Sequence, residues 1–282
     1  APAVPSFAEE RDTLFQYSTV DGLLAGLYDG DLKVAEIAAH GDFGLGTFNQ
    51  LDGEMIVVDG TVFQARGSGE TRVAPAQTRV PFTSVTFFDA DQTAPLLQGI
   101  DYEALKALLD ALAPNPNVYH AIRIDGTFKS VRLRVAPKQT EPYAPLAQVI
   151  EQQEVFELKN VAGTLVGLRT PAYLARLNVP GYHFHFVTSD RRRGGHVFGL
   201  ITSEGNIAID NTPKFTVALP NSPKFAALDL DKQRDAERVK VEHAQTAPAN
   251  TLTYGAAPAL PRAPPPAAAL APMAPAALAP AL

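Results

Sequence analysis

Three of the chain's six histidines crowd into the run GYHFHFVTSDRRRGGHVFGL, Gly181–Leu200. His183 and His185 are two residues apart among β-formers, so on a strand both imidazoles leave the same face. His196 follows after a polar loop that carries two glycines. Three neutral imidazoles with one open position form the ligand set of a catalytic zinc site, whereas a structural zinc takes four closed ligands. Paired strand histidines also occur in carbohydrate-binding and cupin-like strands, so spacing alone leaves ordinary hydrogen-bonded histidines open. Geometry adds a condition. A tight hairpin closed symmetrically about Arg192 would set His196 opposite Thr188, on the face away from His183 and His185. A metal site therefore needs an odd register, a bulge, or a wider loop on a strongly curled sheet.

The elements that must position these groups are legible from periodicity. Residues 1–12 read as an irregular arm. Ser18 with Asp21 resembles an N-cap with an acidic third position, followed by the stripe Val20, Leu23, Leu24 and Leu27. A short helix over Val34–His40 ends at Gly41, and His40 there suits a last helical turn better than a ligand role. From Phe43 the period becomes two, with strands expected at Leu45–Asn49, Glu54–Val58, Thr61–Ala65 and Ser84–Phe88. Asp59-Gly60 signals a type I′ hairpin turn. Asp101–Leu112 reads as a capped amphipathic helix stopped by Pro114 and Pro116. A second hairpin is expected from Tyr119–Ile124 and Thr127–Val135, turned by Asp125-Gly126, with Arg132 and Arg134 on its polar face. Pro145–Gln153 looks helical. Strands are expected at Val161–Leu168, Tyr182–Val187, Val197–Thr202, Asn206–Asp210 and Phe215–Leu219, then a charged helix over Leu230–His243. The predicted class is α+β, with a mixed sheet in an N-terminal domain (1–157) and a curled antiparallel sheet carrying the histidines in a C-terminal domain (158–245). The Ala/Pro tract 246–282 has too little bulky apolar surface to pack and reads as disordered.

Composition narrows the function. The chain has 282 residues, 46% hydrophobic and 19% charged, enough for a substantial core. A net charge of −6, with no basic block beyond Arg191–Arg193, argues against nucleic-acid or anionic-membrane partners. With no cysteine, thiolate zinc ligands, disulfides and thiolate catalysis are excluded. No apolar run approaches the length needed to span a bilayer. The first residue is Ala1, which fits a mature exported chain whose signal peptide has been removed; a cytoplasmic enzyme is the other expectation. Gly44-x-Gly46 lacks the strand–turn–helix setting of a dinucleotide loop.

Longer strings point further. YSTVDGLLAGLYDGD (Tyr17–Asp31), HGDFGLGTFNQLDGEMIVVDG (His40–Gly60), VPFTSVTFF (Val80–Phe88), RLRVAPKQTEPYAPL (Arg132–Leu146) and GYHFHFVTSDRRRGGHV (Gly181–Val197) occur in one order. In that order the chain resembles the α-acetolactate decarboxylase family from about Leu14 to His243, most weakly in the terminal helix. The resemblance implies His183, His185 and His196 as zinc ligands, Glu54, Arg134 and Glu242 as catalytic residues, and Thr47 in the substrate pocket. It implies a homodimer that converts (S)-2-acetolactate to (R)-acetoin and carbon dioxide. Such chemistry is coherent with a zinc site: the electrons left by carbon dioxide pass to the neighbouring ketone as an enediolate, whose charge a Lewis acid stabilises without pyridoxal or thiamine. Read from residues alone, Glu54 at a strand start is an ordinary surface glutamate, and Arg134 could be solvated or half of an ion pair. Arg191–Arg193 read as a solvated loop near the metal that could attract an anion. Two rival functions remain at this level: another three-histidine zinc enzyme, such as a hydrolase or hydratase, and a non-enzymatic metal- or sugar-binding module.

Overall fold

The structure, a computed structural model, describes residues 11–67, 69–243 and 250–253. Along the chain come β1 (Thr13–Tyr17), α1 (Val20–Leu24), β2 (Leu32–Lys33), α2 (Val34–Ile37), β3 (Phe43–Thr47), β4 (Glu54–Val58) and β5 (Thr61–Arg66). Then follow β6 (Glu70–Val73), β7 (Arg79–Val80), β8 (Phe82–Thr86), β9 (Gln92–Pro95), α3 (Tyr102–Leu112), β10 (Tyr119–Val135), α4 (Leu146–Val149) and β11 (Glu154–Thr170). The rest are β12 (Gly181–Thr188), β13 (Gly194–Thr212), β14 (Lys214–Ala218), α5 (Pro223–Ala226), α6 (Asp235–His243) and β15 (Asn250–Thr253).

Two sheets carry the molecule. One has seven strands in the order β14-β1-β8-β3-β4-β5-β6 and is mixed, because β14 runs parallel to β1. In the other, β10, β11, β12 and β13 pair in succession and β10 also pairs with β13, so four long antiparallel strands close on themselves. The α+β class with a mixed sheet and a curled antiparallel one is what the sequence pattern predicts. The chain does not fill the two sheets in order. β9 and β10 belong to the closed sheet, β14 returns to the first, and residue 157 falls inside β11.

Asp125-Gly126 does not turn the chain, and this corrects the predicted hairpin. β10 runs unbroken through it because β11 and β13 supply ladder partners on both sides, setting Gly126 opposite Gly163 and Gly205. A Cβ on Gly126 would lie 2.6 Å from the Glu204 carbonyl oxygen, so the glycine serves close strand approach. The Asp125 carboxylate accepts from Arg123 Nε (2.6 Å) and Thr164 Oγ1 (2.7 Å) rather than capping a turn. The two strands expected at Val197–Thr202 and Asn206–Asp210 are likewise one, β13. Asp59-Gly60 does turn, with φ of 52° and 71°.

Register shifts between Thr127 and Ser130 matter to the site. Before them Ile122 and Ile124 face the interior cluster; after them Val131, Leu133 and Val135 do. A slip of one residue exchanges the faces of a strand. Arg134 thereby joins the outer face that meets the first sheet. Inside the closed sheet, Leu165, Phe184, Phe186 and Ile207 share a core with Leu105 and Leu109 of α3. α3 is capped by Asp101, whose Oδ1 accepts from Ala104 N at 2.9 Å. On the outer face, Ala121, Val166, Leu168 and Val187 pack against Leu45, Ile56 and Phe63 of the first sheet.

Smaller corrections have local causes. The cap of α1 is Thr19, whose Oγ1 accepts from Gly22 N (3.0 Å); Ser18 has φ of 68°. The charged helix α6 begins only at Asp235. Part of the tract expected to be structureless is ordered: Asn250–Thr253 pairs in parallel with Phe156–Lys159, and half-buried Leu252 reaches the core. β12 pairs only with Gly163–Thr170 of β11. The earlier stretch of β11 therefore offers an open edge, and a β-prone Thr-Leu-Thr segment fills it. Residues 254–282 of that tract lie outside the described residues.

Candidate metal centre

The β12–β13 hairpin meets the condition that spacing alone could not decide. His185 stands opposite His196, Val187 opposite Gly194, and Thr188 N donates to Arg193 O at 2.9 Å. The turn is therefore centred before Arg192, in an odd register. Arg191 takes the left-handed conformation (φ 58°), while Thr188 Oγ1 accepts from Arg193 N at 3.0 Å and Asp190 Oδ1 accepts from Arg192 N at 3.0 Å. His196 thus shares a face with His183 and His185. One nitrogen from each of the three rings lies within 4.8 Å of the others, forming a cluster that can hold a metal ion.

Hydrogen bonds set the tautomers. The Met55 carbonyl can only accept, so His185 donates through Nδ1 (2.7 Å) and turns its lone pair, on Nε2, toward Glu54 Oε2 at 3.7 Å. A guanidinium can only donate, so Arg134 Nη2 gives to His196 Nε2 at 2.9 Å. His196 Nδ1 then carries the proton and donates to His183 Nε2 at 3.0 Å. That leaves His183 Nδ1 buried, with no partner among the described residues. Burial drives all three imidazoles toward the neutral form. His185 is pushed down to about 4, and neighbouring histidines and Arg134 add to the lowering at His183 and His196. Neutral imidazole is the ligating state. Three neutral imidazoles converging within 4.8 Å fit a soft-to-borderline divalent metal, which would take the lone pairs that His183 and His196 otherwise commit to hydrogen bonds.

The first sheet delivers the carboxylate. Gly53 sits at φ 97°, and a Cβ there would come within 2.1 Å of Ala65 O, so only glycine admits the bend that starts β4. Next to it, Glu54 Oε1 accepts from Ala136 N at 3.3 Å while Oε2 faces His185. The Thr47 hydroxyl donates to Gly53 O at 2.8 Å, closing the bend. Arg134 is buried, 3% exposed, and Nη1 donates to the Val241 carbonyl in α6. Thr47, Glu54, Arg134, His183, His185 and His196 line one cavity of ≈ 80 Å³. Its remaining walls are largely apolar, among them Leu24, Phe82, Ile150 and Val241. Of the seven residues singled out in the sequence, six meet here. Glu242 lies in α6, and its side chain is outside the described residues. Arg191 and Arg193 do not line the cavity: they pair with Asp59 (3.7 Å) and Glu70 (3.6 Å), tying the hairpin to the first sheet. His40 stacks on Phe15 at 3.7 Å.

Sequence patterns did not single out the Met55 carbonyl or Arg238, and they read Asp21 only as the acidic third position of a helix cap. A backbone carbonyl has no residue signature. Arg238, three residues before Val241, carries only the weak signal of helical spacing.

Comparison with known proteins agrees with the geometry. Residues 14–232 match the family model described as alpha-acetolactate decarboxylase. A protein of that name from Methanosarcina mazei is 44% identical over 231 residues, covering 81% of this chain and 80% of that one. The one from Brevibacillus brevis is 42% identical over 229 residues, with 81% and 80% covered. The crystal structure of alpha-acetolactate decarboxylase from Bacillus subtilis strain 168 superposes with a TM-score of 0.79 at 38% identity, covering 82% of this chain and 98% of that one.

Proposed function

The chain belongs to the alpha-acetolactate decarboxylase family, and from that premise we propose how its residues divide the work. It is a lyase that converts 2-acetolactate to acetoin with loss of carbon dioxide. The observation that carries this reading into chemistry is the convergence of Glu54 and Arg134 on the three-histidine cluster in one enclosed cavity.

The substrate is a β-keto acid whose middle carbon bears a hydroxyl. When its carboxylate leaves as carbon dioxide, the bond pair moves to the ketone as an enediolate. A proton added to the carbon that lost the carboxylate completes acetoin. His183, His185 and His196 would hold zinc, with Met55 O orienting His185. Zinc, when bound, supplies a Lewis acid for the hydroxyl and ketone oxygens.

Arg134 offers a buried, permanently charged fork for the carboxylate, and its place beside His196 supports that role. Guanidinium is a poor acid, so we assign Arg134 as a clamp that also positions a proton-delivering water. Glu54 has one oxygen on a backbone N–H and the other toward the cavity, which suits holding the substrate hydroxyl or accepting its proton. We propose that Glu242 shares this task and that Thr47 shapes the pocket near Gly53. Apolar walls fit the substrate's two methyl groups and keep bulk water out. Preference for the S substrate and the R product would need three separate anchors, the carboxylate at Arg134, the hydroxyl at Glu54 and the ketone at the metal. The assembly we propose is a homodimer; exposed Val73 on edge strand β6 supports contact between subunits.

Carbon dioxide release from racemic acetolactate, with metal analysis before and after chelation, tests the reading. We expect about one zinc per chain and loss of turnover on chelation that added zinc restores. A metal-loaded protein with no turnover would leave the site as a binding module.

A further inference from the structure

Two charged residues outside the proposed machinery lie in the helices that close the cavity. Asp21 is in α1, whose Val20, Leu23 and Leu24 line it; Arg238 is in α6, whose Val241 does. Arg238 Nη2 donates to Asp21 Oδ1 at 3.0 Å and Nη1 to Asp235 Oδ1 at 2.6 Å. The other oxygen of Asp21 accepts from Arg176 Nε at 3.0 Å. The Asp21 and Arg238 side chains are only 3% and 7% exposed. A buried pair of this kind gains little net stability over apolar packing, because both charges lose water. Its geometry is the informative part. Val241 is one helical turn beyond Arg238, on the same face, and its carbonyl holds Arg134 Nη1. Arg134 in turn reaches His196. The pair therefore connects, through one turn of α6, to the arginine beside the metal cluster.

A second feature meets at the same place. A cavity of ≈ 400 Å³ between α3 and α6, lined by Tyr102, Lys106, Tyr182, Phe198 and Asp235, shares Val179, His196 and Arg238 with the metal cavity. Arg238 stands in the wall between the small site and this larger space.

We propose that the Asp21–Arg238 pair is a latch, with Arg238 as a positioning residue for the decarboxylation. It fixes α6 so that Arg134 is aimed at the substrate carboxylate. It also closes the wall between the site and the larger cavity. The inference rests on the decarboxylase reading for its substrate.

The test uses the full-length, zinc-loaded protein with Arg238→Met, Asp21→Asn and Arg238→Lys. Measured are kcat and KM separately, hydrogen exchange of α6 amides, and the rate of zinc loss to a chelator. In Arg238→Met, KM should rise about tenfold or more, as for a displaced binding group. α6 should exchange faster and zinc should leave faster, at unchanged zinc content in the purified protein. Arg238→Lys keeps one charged donor toward Asp21 and should restore most α6 protection and most of KM. A folded Arg238→Met with wild-type KM and chelation rate overturns the latch, and so does a loss of kcat alone with wild-type α6 exchange. If Arg238→Met fails to fold, Asp21→Asn must show the same three changes, and normal values there overturn it equally. Wild-type protein that releases no carbon dioxide defeats the decarboxylase reading instead, while exchange and chelation still judge the latch.

Discussion

On one side of the metal cavity the walls are strands, β3, β4, β8, β10, β12 and β13; on the other they are the short helices α1, α4 and α6. The strand wall carries Thr47, Glu54, Arg134 and the three histidines. Each stands on backbone paired to neighbouring strands, so its position is over-determined. The helix wall is mostly apolar, and its helices have 5, 4 and 9 residues. Isolated helices shorter than about 12–15 residues are marginal in water, so these exist by packing and by the Asp21–Arg238 pair. Rigid ladders hold the groups that need fixed geometry, and the side-chain-held wall is the part that can give way.

The sharpest break of this comparison is on the strand wall. His185→Ala should lower turnover beyond the roughly hundredfold cost of losing an outer-shell partner, with reduced zinc content, measured by kinetics and metal analysis. Full zinc occupancy would refute the ligand assignment.

Glu54→Gln removes charge and keeps shape, so kcat should fall roughly a hundredfold or more with zinc largely retained. Arg134→Lys keeps charge but loses the planar fork and should raise KM or lower kcat clearly. Near-normal kinetics in both variants would mean that the cavity is not the reaction site.

In the 3-10 turn that continues α4 along the helix wall, Ile150→Ala should behave differently. Ile150 is buried, and truncation should cost about 2–5 kcal/mol in denaturant unfolding while zinc content stays at the wild-type level. Loss of zinc at normal stability would contradict the division between the walls.

The strand frame also carries a pH-sensitive group away from the cavity. Burial raises the Asp210 carboxyl to about 7, against an opposing hydrogen bond from Asp89 N. A folded pKa above the unfolded one means this contribution is full below the ordinary carboxylate range. It is lost as pH rises through about 7. Asp210→Asn should therefore flatten the decline of Tm between pH 4 and pH 8 by a few degrees, a window set by roughly that pKa and the reference value. An unchanged profile would exclude Asp210 as its source.

The smallest effect concerns the tail. Removing 254–282 should leave Tm and activity unchanged, whereas removing 246–282 also strips β15 from β11 and should lower Tm slightly. Identical melting of the two truncations would show that β15 adds nothing to stability.

Much of the frame was readable before any coordinates. β4 begins and ends where alternation placed it, and α3 ends at Leu112 behind its Asp101 cap. Asp59-Gly60 turned as its dipeptide predicts because only two strands, β4 and β5, compete for that backbone. The same dipeptide at 125–126 did not, because partners on both sides of β10 kept it extended. Local propensity decides a turn only where no ladder is available to override it.

The sequence by itself determined which groups are available: three histidines and no cysteine, the odd-numbered pair on one strand face, Glu54 after its obligatory Gly53, and the apolar periods that build the sheets. The tertiary structure alone decided that His196 joins that pair, since the register of β12 and β13 depends on how Thr188 and Asp190 bind the turn. Alternation put Arg134 opposite Val131, Leu133 and Val135, but only the register shifts in β10 and the closure of the sheet turned that face toward the histidines. Side-chain type is written residue by residue, but the face a side chain occupies in a closed sheet depends on every register between it and the next bulge.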